Sequence, residues 1–363
     1  MSNVIVGIGT YLPERVVTND DLEAMELDYD RAKAGVTLDE WARSRHGAMS
    51  RHWARPGECT SDMATVAARR ALGDAGLDPR DIDVIVMATI TNDYRLPQSA
   101  MLVQANLGSR AKVIQLDSAC SGFVDTLLVA CGLLDAQGYE TALVVGADTL
   151  TRLCDPRKFM PLTIFGDGAG AVLLHRLKAD DGHGVRSFVT GSDGHLGHYV
   201  RVPGGAGKIP FCPEMLDQGL HYLHLMFGEI HTWAVDRAAF CTLEAVTRAG
   251  LTLEDIAWVV PHQASLNILR AVAQRLGLSM EKFVVTYPHT GNLSAASIPV
   301  ALEQGKFRDG DWLVMPAVGA GMAWGAVTYQ WYDYKRGWDS SVMNLAVGAQ
   351  DASPRLKESW HDR

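Results

Sequence analysis

The chain has 363 residues, 47% of them hydrophobic, which is enough for one large α/β domain or two ordinary ones around a sizeable core and excludes an unstructured chain. Its formal net charge of −9, with no concentrated Lys/Arg run interleaved with aromatics, argues against nucleic acid as a partner. The first residues lack a basic start followed by an apolar run, and no uninterrupted apolar stretch approaches the roughly 20 residues that cross a bilayer, so a soluble, unprocessed protein with no membrane partner is expected.

From the N-terminus, short runs of Val, Ile and Ala bounded by Gly, Asp or Pro predict buried strands over 4–8, 84–90, 113–116, 142–145 and 170–174. Between them, 61–75 follows a Thr/Ser/Asp cap signal and puts Met63, Val66, Ala67 and Ala71 on one helical face, while 123–134 spaces Phe123, Leu127, Cys131 and Leu134 as a second helix. Alternating strands and helices imply an α/β protein with a mainly parallel sheet covered on both faces. The second half repeats this order, with strands over 258–260, 283–286, 312–315 and 326–331 and helices over 265–276 and 295–302. Two similar halves would stack helices at a shared centre. The predicted division is 1–180, a connecting region 181–215, a second half 216–338 and an irregular C-terminal extension 339–363. The Gly/Pro-rich stretch 204–213 is the expected excursion over a site.

Six cysteines, Cys59, Cys120, Cys131, Cys154, Cys212 and Cys241, stand without a CxxC pair, which argues against a disulfide framework and structural zinc and fits a cytoplasmic location. Cys120, in QLDSACSGFVDTL, falls where an apolar strand ends and an amphipathic helix begins, and Gly122 leaves room for a close approach. A helix N-terminus stabilises a thiolate and offers backbone N–H groups to an oxyanion. Taken alone, a single cysteine is more often a small buried hydrophobe. His262 in WVVPHQASLNIL and Asn292 in YPHTGNLSAASIP also follow apolar strands, where catalytic groups collect in open sheets, although Pro-His and Gly-Asn are ordinary turn pairs. Cys, His and Asn together at strand ends form a stronger signal than any one of them.

The Gly-rich FGDGAGAVLL lacks the GxGxxG spacing, and GGAGKIP lacks the Ser or Thr of a phosphate loop. His195 with His198 and His221 with His224 have no accompanying Cys or carboxylate spacing, so no metal is expected. Arg43, Arg45, Arg51, His52 and Arg55, with Trp41 and Trp53, form a basic stretch that on composition alone reads as a solvated face.

The motifs GIGTYLPERVVTNDDLE, EWARSRHG with Arg51, DSACSGF, CDP before IFGDGAGAVLL, VVPHQA, GNLSAASIP and VGAGMAWGA occur in this order over nearly the whole chain. Together they resemble the β-ketoacyl-acyl-carrier-protein synthase III branch of the thiolase-like condensing enzymes. The resemblance implies a thiolase-like five-layered α/β/α/β/α fold built from two duplicated halves. It also implies a homodimer, no cofactor, and acyl-CoA and a malonyl thioester as substrates. It assigns Cys120 as the acylated nucleophile, the N–H groups of Cys120 and Ala320 as its oxyanion hole, and His262 and Asn292 as the groups that hold the malonyl thioester carbonyl. Trp41 and Arg45 match positions that contact the nucleotide end of coenzyme A, with Arg157 and Lys158 close by.

Three positions depart from the family pattern. Asn267 replaces an arginine that docks the acyl carrier protein. Phe159 replaces a second coenzyme-binding arginine, and Leu96 replaces an aromatic that the dimer partner adds to the acyl pocket. With the extra residues between Glu26 and Leu38, these favour starter loading or acyl transfer in polyketide or other secondary metabolism. Transfer from Cys120 to a carrier thiol, amine or hydroxyl without condensation is the alternative, and a non-catalytic acyl-binding partner is the reading from another class.

Overall fold

The structure is a computed structural model that describes residues 2–178 and 182–338. Strands β1 (Ser2–Tyr11), β2 (Val84–Ala88), β3 (Lys112–Leu116), β4 (Thr141–Thr149) and β5 (Asp167–Leu177) form one sheet in the order β1-β5-β4-β2-β3. Strands β6 (Gly184–Ser192), β7 (Trp258–Val259), β8 (Trp312–Gly319) and β9 (Ala323–Gln330) form a second, in the order β6-β9-β8-β7. In the first sheet β3, β2 and β4 run parallel, whereas β5 is antiparallel to both β4 and β1. The second sheet repeats this: β7 is parallel to β8, β9 is antiparallel to β8 and β6, and Phe283 bridges β7 in parallel where a fifth strand would lie.

Six helices fill the remaining layers: α1 (Thr60–Ala75), α2 (Ser99–Leu107), α3 (Gly122–Gln137), α4 (Phe227–Arg248), α5 (Leu266–Leu276) and α6 (Ser297–Gln304). Helices α1 and α2 cover the outer face of the first sheet, and α4, with α5 packed on it, covers that of the second. Helix α3 touches β2 and β4 on one side and β8 and β9 on the other, and α6 lies against β1 and β5. This makes the α/β/α/β/α order expected from the sequence. The stretch Ala119–Gln137, with mean hydropathy 1.5, is long and apolar enough to cross a membrane by composition, a signal the search for uninterrupted apolar runs passes over because Asp125 interrupts it. Here that stretch is a central layer, with Phe123, Val124, Leu127, Ala130 and Leu134 buried.

Two boundaries differ from the sequence reading. The second sheet starts at Gly184, inside the predicted connecting region, because β6 is an edge strand of alternating burial whose Arg186 and Ser187 break the apolar run. The predicted strand at 283–286 reduces to one bridge, since Thr286 and Tyr287 give their N–H groups to the Gln263 side chain instead of a strand. Helix α4 has no counterpart in the sequence reading; Phe240 and Leu243 on its exposed side blur its periodicity. The loop at 204–213 is irregular over most of its length, and its contacts run to Arg95, Met215 and Leu220. The predicted extension 339–363 lies outside the described residues.

Candidate active site

Two turns that enter the central helices are built alike. Ala119 has φ 47° and opens the 3-10 turn Ala119–Ser121 that leads into α3; Ser294 has φ 51° and opens Ser294–Ala296, which leads into α6. Side chains rarely adopt this left-handed conformation, which costs about 1–3 kcal/mol and persists only where packing enforces it. The two turns pack on each other, so Cys120 and Asn292 meet across the centre of the fold. Gly122 makes this approach possible, since a Cβ there would lie 2.5 Å from the Ala88 Cβ and 3.4 Å from that of Ala295. A Cβ on Gly319, at the end of β8, would lie 3.0 Å from the Cys120 backbone nitrogen, which brings the 319–320 backbone beside Cys120.

His262 follows β7 and is buried; its N–H donates to the Pro316 carbonyl (2.8 Å). The neighbouring Gln263 clamps this turn to the next. Its Nε2 donates to the Pro261 and Val284 carbonyls (2.9 and 3.0 Å), and its Oε1 accepts from the N–H groups of Thr286 and Tyr287 (2.9 and 3.1 Å). Asn292 is fixed at both ends: its N–H donates to the Ile164 carbonyl (2.8 Å), and its Oδ1 accepts the Ser294 N–H (2.8 Å). With Oδ1 occupied, its Nδ2 is the group left to donate into the site. The Gly-rich 165–168 segment supports it, since Gly166 donates its N–H to the Asn292 carbonyl (3.1 Å).

The electrostatics correct one expectation. Burial pushes the Cys120 thiol up to about 12, with the Asp148 charge adding to the rise and hydrogen bonding by Ser294 and Asn292 opposing it. A helix N-terminus opposes this by up to about 2 kcal/mol, and Cys120 keeps part of its surface in solvent, yet desolvation by the packed surroundings outweighs the dipole and favours a sulfur that holds its proton at rest. Burial also lowers His262 to about 4, against a hydrogen bond to the Ser294 backbone, so its imidazole is neutral at physiological pH; Nδ1 is buried without a partner. The site therefore offers two neutral polar groups, one titratable far below its working pH and one not at all.

Two residues that sequence reasoning missed stand beside these. Asp148, at the end of β4, is fully buried, and burial pushes its carboxyl up to about 6. Ser294 has a buried hydroxyl without a hydrogen bond of full geometry, yet it lies near enough to Cys120 and Asp148 to lower the pKa of both. An acid closing an otherwise apolar strand, and a serine two residues after Asn292, were the available signals.

The outlying residues divide. Trp41, on the helix Leu38–Arg45, is partly buried and lies edge-on to Phe159 (5.0 Å between ring centroids) and Tyr29 (6.4 Å). Tyr29 comes from the extra segment before Leu38, and Asp28 of that segment bonds Lys158 Nζ and the Phe159 N–H, each at 2.9 Å. Arg157 forms a forked pair with Asp155 (both contacts 3.0 Å). Arg157 and Lys158 thus each have an acidic partner at the surface, whereas Arg45 is exposed. Asn267 turns its amide inward onto the Ser44 and Arg45 carbonyls (3.3 and 2.8 Å), capping that helix. Leu96 is 85% exposed and lines no part of the site within one chain. His198 Nδ1 contacts the His195 carbonyl, and among the described residues no group of three potential metal ligands gathers.

Comparison with known proteins places this geometry. The chain is 41% identical over 333 residues to a β-ketoacyl-[acyl-carrier-protein] synthase III of Symbiobacterium thermophilum, a match covering 90% of this chain and 97% of that one. The chain belongs to the 3-oxoacyl-[acyl-carrier-protein] synthase III family. Profiles of this family match residues 114–194 and, for its C-terminal part, 246–331. The Aquifex aeolicus synthase III structure superposes with a TM-score of 0.81 at 33% identity, covering 91% of this chain and 100% of that one. The priming β-ketosynthase of the R1128 polyketide pathway gives a TM-score of 0.81 at 29% identity, covering 92% and 97%. As a synthase III-type protein it is an acyl-transferring condensing enzyme with the thiolase-like fold.

Proposed function

We propose that this synthase III-type enzyme loads an acyl group from a thioester onto Cys120 and condenses it with a malonyl thioester. Loading forms a C–S bond at Cys120 and releases the donor thiol, the oxyanion being held by the N–H groups of Cys120 and Ala320. Decarboxylation then breaks the malonyl C–C bond, and the enolate oxygen takes hydrogen bonds from the Asn292 amide and the His262 imidazole. The enolate carbon attacks the acyl carbonyl, the acyl C–S bond breaks with its electron pair going to sulfur, and the Cys120 thiolate takes a proton from solvent. The observation that carries this reading is the pairing of a neutral His262 with an Asn292 whose Oδ1 is already bonded to Ser294. Decarboxylation needs no proton abstraction, and two fixed neutral donors suit the enolate.

Two finer points follow. Leu96 at 85% exposure, with Tyr94 at 62% and, on α2, Met101 at 40%, supports a homodimer in which the 94–96 loop reaches the partner's acyl pocket. The departures at 96, 159 and 267, with the likeness to a polyketide priming ketosynthase, support a specialised starter unit and a carrier-protein contact that does not use residue 267. The prepaired Arg157 and Lys158 leave Trp41 and Arg45 as the contacts for a coenzyme A donor. The test is intact-mass detection of an adduct after incubation with acyl-CoAs and with acyl carrier proteins bearing the same chains. An adduct that protects Cys120 from iodoacetamide is expected, and its absence from every donor would overturn the reading.

A further inference from the structure

The condensation chemistry leaves the buried acid nearest Cys120, Asp148, unused. Asp148 Oδ1 accepts from the Thr89 hydroxyl (2.9 Å), the Ile90 N–H (2.8 Å) and the Thr91 hydroxyl (2.9 Å), while Oδ2 is buried without a partner. The Ser294 hydroxyl is buried and unpartnered as well. These two orphans sit on adjoining pieces. The 294–296 turn packs on β4 so closely that a Cβ on Gly146 would lie 2.3 Å from the Ala295 carbonyl oxygen, and the same turn packs on 119–121. The Ser294 backbone is pinned by φ 51° and by its N–H bond to Asn292, on a turn packed against both 119–121 and β4, and its hydroxyl offsets part of the rise at both the Cys120 thiol and the Asp148 carboxyl. A hydroxyl can accept one proton while donating another.

We propose that Ser294 and Asp148 form a proton relay from the Cys120 thiol, with Ser294 touching the sulfur and Asp148 acting through it as a positioning and proton-holding group. The proposal rests on the reading that Cys120 is acylated. As the sulfur attacks the donor carbonyl, a C–S bond forms and the carbonyl π electrons move to oxygen. The thiol proton passes to Ser294 Oγ, and the Ser294 proton passes to Asp148 Oδ2. Collapse breaks the donor's C–S bond, and the departing thiolate takes the proton back from Asp148 by way of Ser294 and leaves as a thiol. The step is a thioester exchange and needs no further reagent. The resting state suits it: the sulfur, raised to about 12, holds its proton, and the carboxyl, raised only to about 6, is mostly ionised at neutral pH. The titratable groups facing the relay are Cys120 and His262, while the 89–91 turn contributes hydroxyls and an N–H.

The test is rapid-quench intact mass of the full chain with acetyl-, butyryl- and octanoyl-CoA across a pH series. Asp148→Asn and Ser294→Ala are each expected to slow loading about 10²-fold, the scale of a lost proton-transfer group. The double variant should be no slower than the slower single, because the two residues serve one path. Wild-type loading should fall as pH drops through about 6, where Asp148 becomes protonated, and Asp148→Asn should lack that limb. Asp148→Glu should restore part of the rate. Ser294→Ala keeps the test open if Asp148→Asn disturbs the 89–91 turn, since Ala119 shows that alanine tolerates the matching backbone conformation. Variants that load at the wild-type rate with its pH profile, or single effects that multiply in the double, would overturn the relay alone. A wild type that loads from no donor would remove the acylation reading and the relay with it.

Discussion

The turn at 119–121 and the turn at 294–296 share a left-handed first residue, a 3-10 conformation and a central helix behind them, yet one presents a thiol and the other a hydroxyl and an amide. Ala295 stands where the duplicated topology puts Cys120 in the other half. The backbone strain is therefore a property of the repeated scaffold, and the chemistry comes from single side chains placed on it. It also explains why the candidate groups meet, because the two turns pack on each other at the interface between the halves.

This comparison can be broken most severely at the sulfur. Cys120→Ala should abolish the acyl adduct by intact mass, and adding Ala295→Cys to it should not restore one, because the second turn lacks the apposed 319–320 backbone. Removing the second turn's donors should separate the two half-reactions. In Asn292→Ala or His262→Ala, loading should persist while carbon dioxide release falls about 10²–10³-fold, the loss typical of one oxyanion donor.

The buried imidazole gives a stability test. His262 is lowered to about 4 in the folded state, so below its ordinary value of 6.5 the unfolded chain takes up a proton that the folded chain does not. Stability is present above pH 6.5 and lost as pH falls towards 4; urea titrations should show roughly 3 kcal/mol from this residue, absent in His262→Asn. Gly319→Ala should cost about 1–3 kcal/mol by crowding the Cys120 backbone, read as a lower urea midpoint. The smallest effect belongs at the periphery. Arg157→Ala should change the KM for an acyl-CoA by no more than about threefold because Asp155 already holds its charge, and Arg45→Ala should change it more.

Much of the fold was legible because strands of the first sheet contain uninterrupted apolar runs, as in 84–88 and 142–147. Cys120, His262 and Asn292 stand out as candidates for the same reason, lying just past such runs. The edge strand 184–192 and helix α4 were not, since half-exposed elements mix polar and apolar residues without a clean period. Asp148 and Ser294 acquire meaning only once β4 and the 294–296 turn are packed together, and the raised thiol depends on burial that spacing does not reveal.

Decarboxylative condensation at Cys120 can be followed within a single turnover. Acyl-enzyme freed of donor would be mixed with a malonyl thioester while carbon dioxide, the adduct and the product are followed together. Adduct loss, carbon dioxide release and β-keto thioester formation are expected in equal amounts at the same rate. Loss of the adduct to another acceptor without carbon dioxide, or an adduct that the malonyl thioester leaves untouched, would contradict condensation.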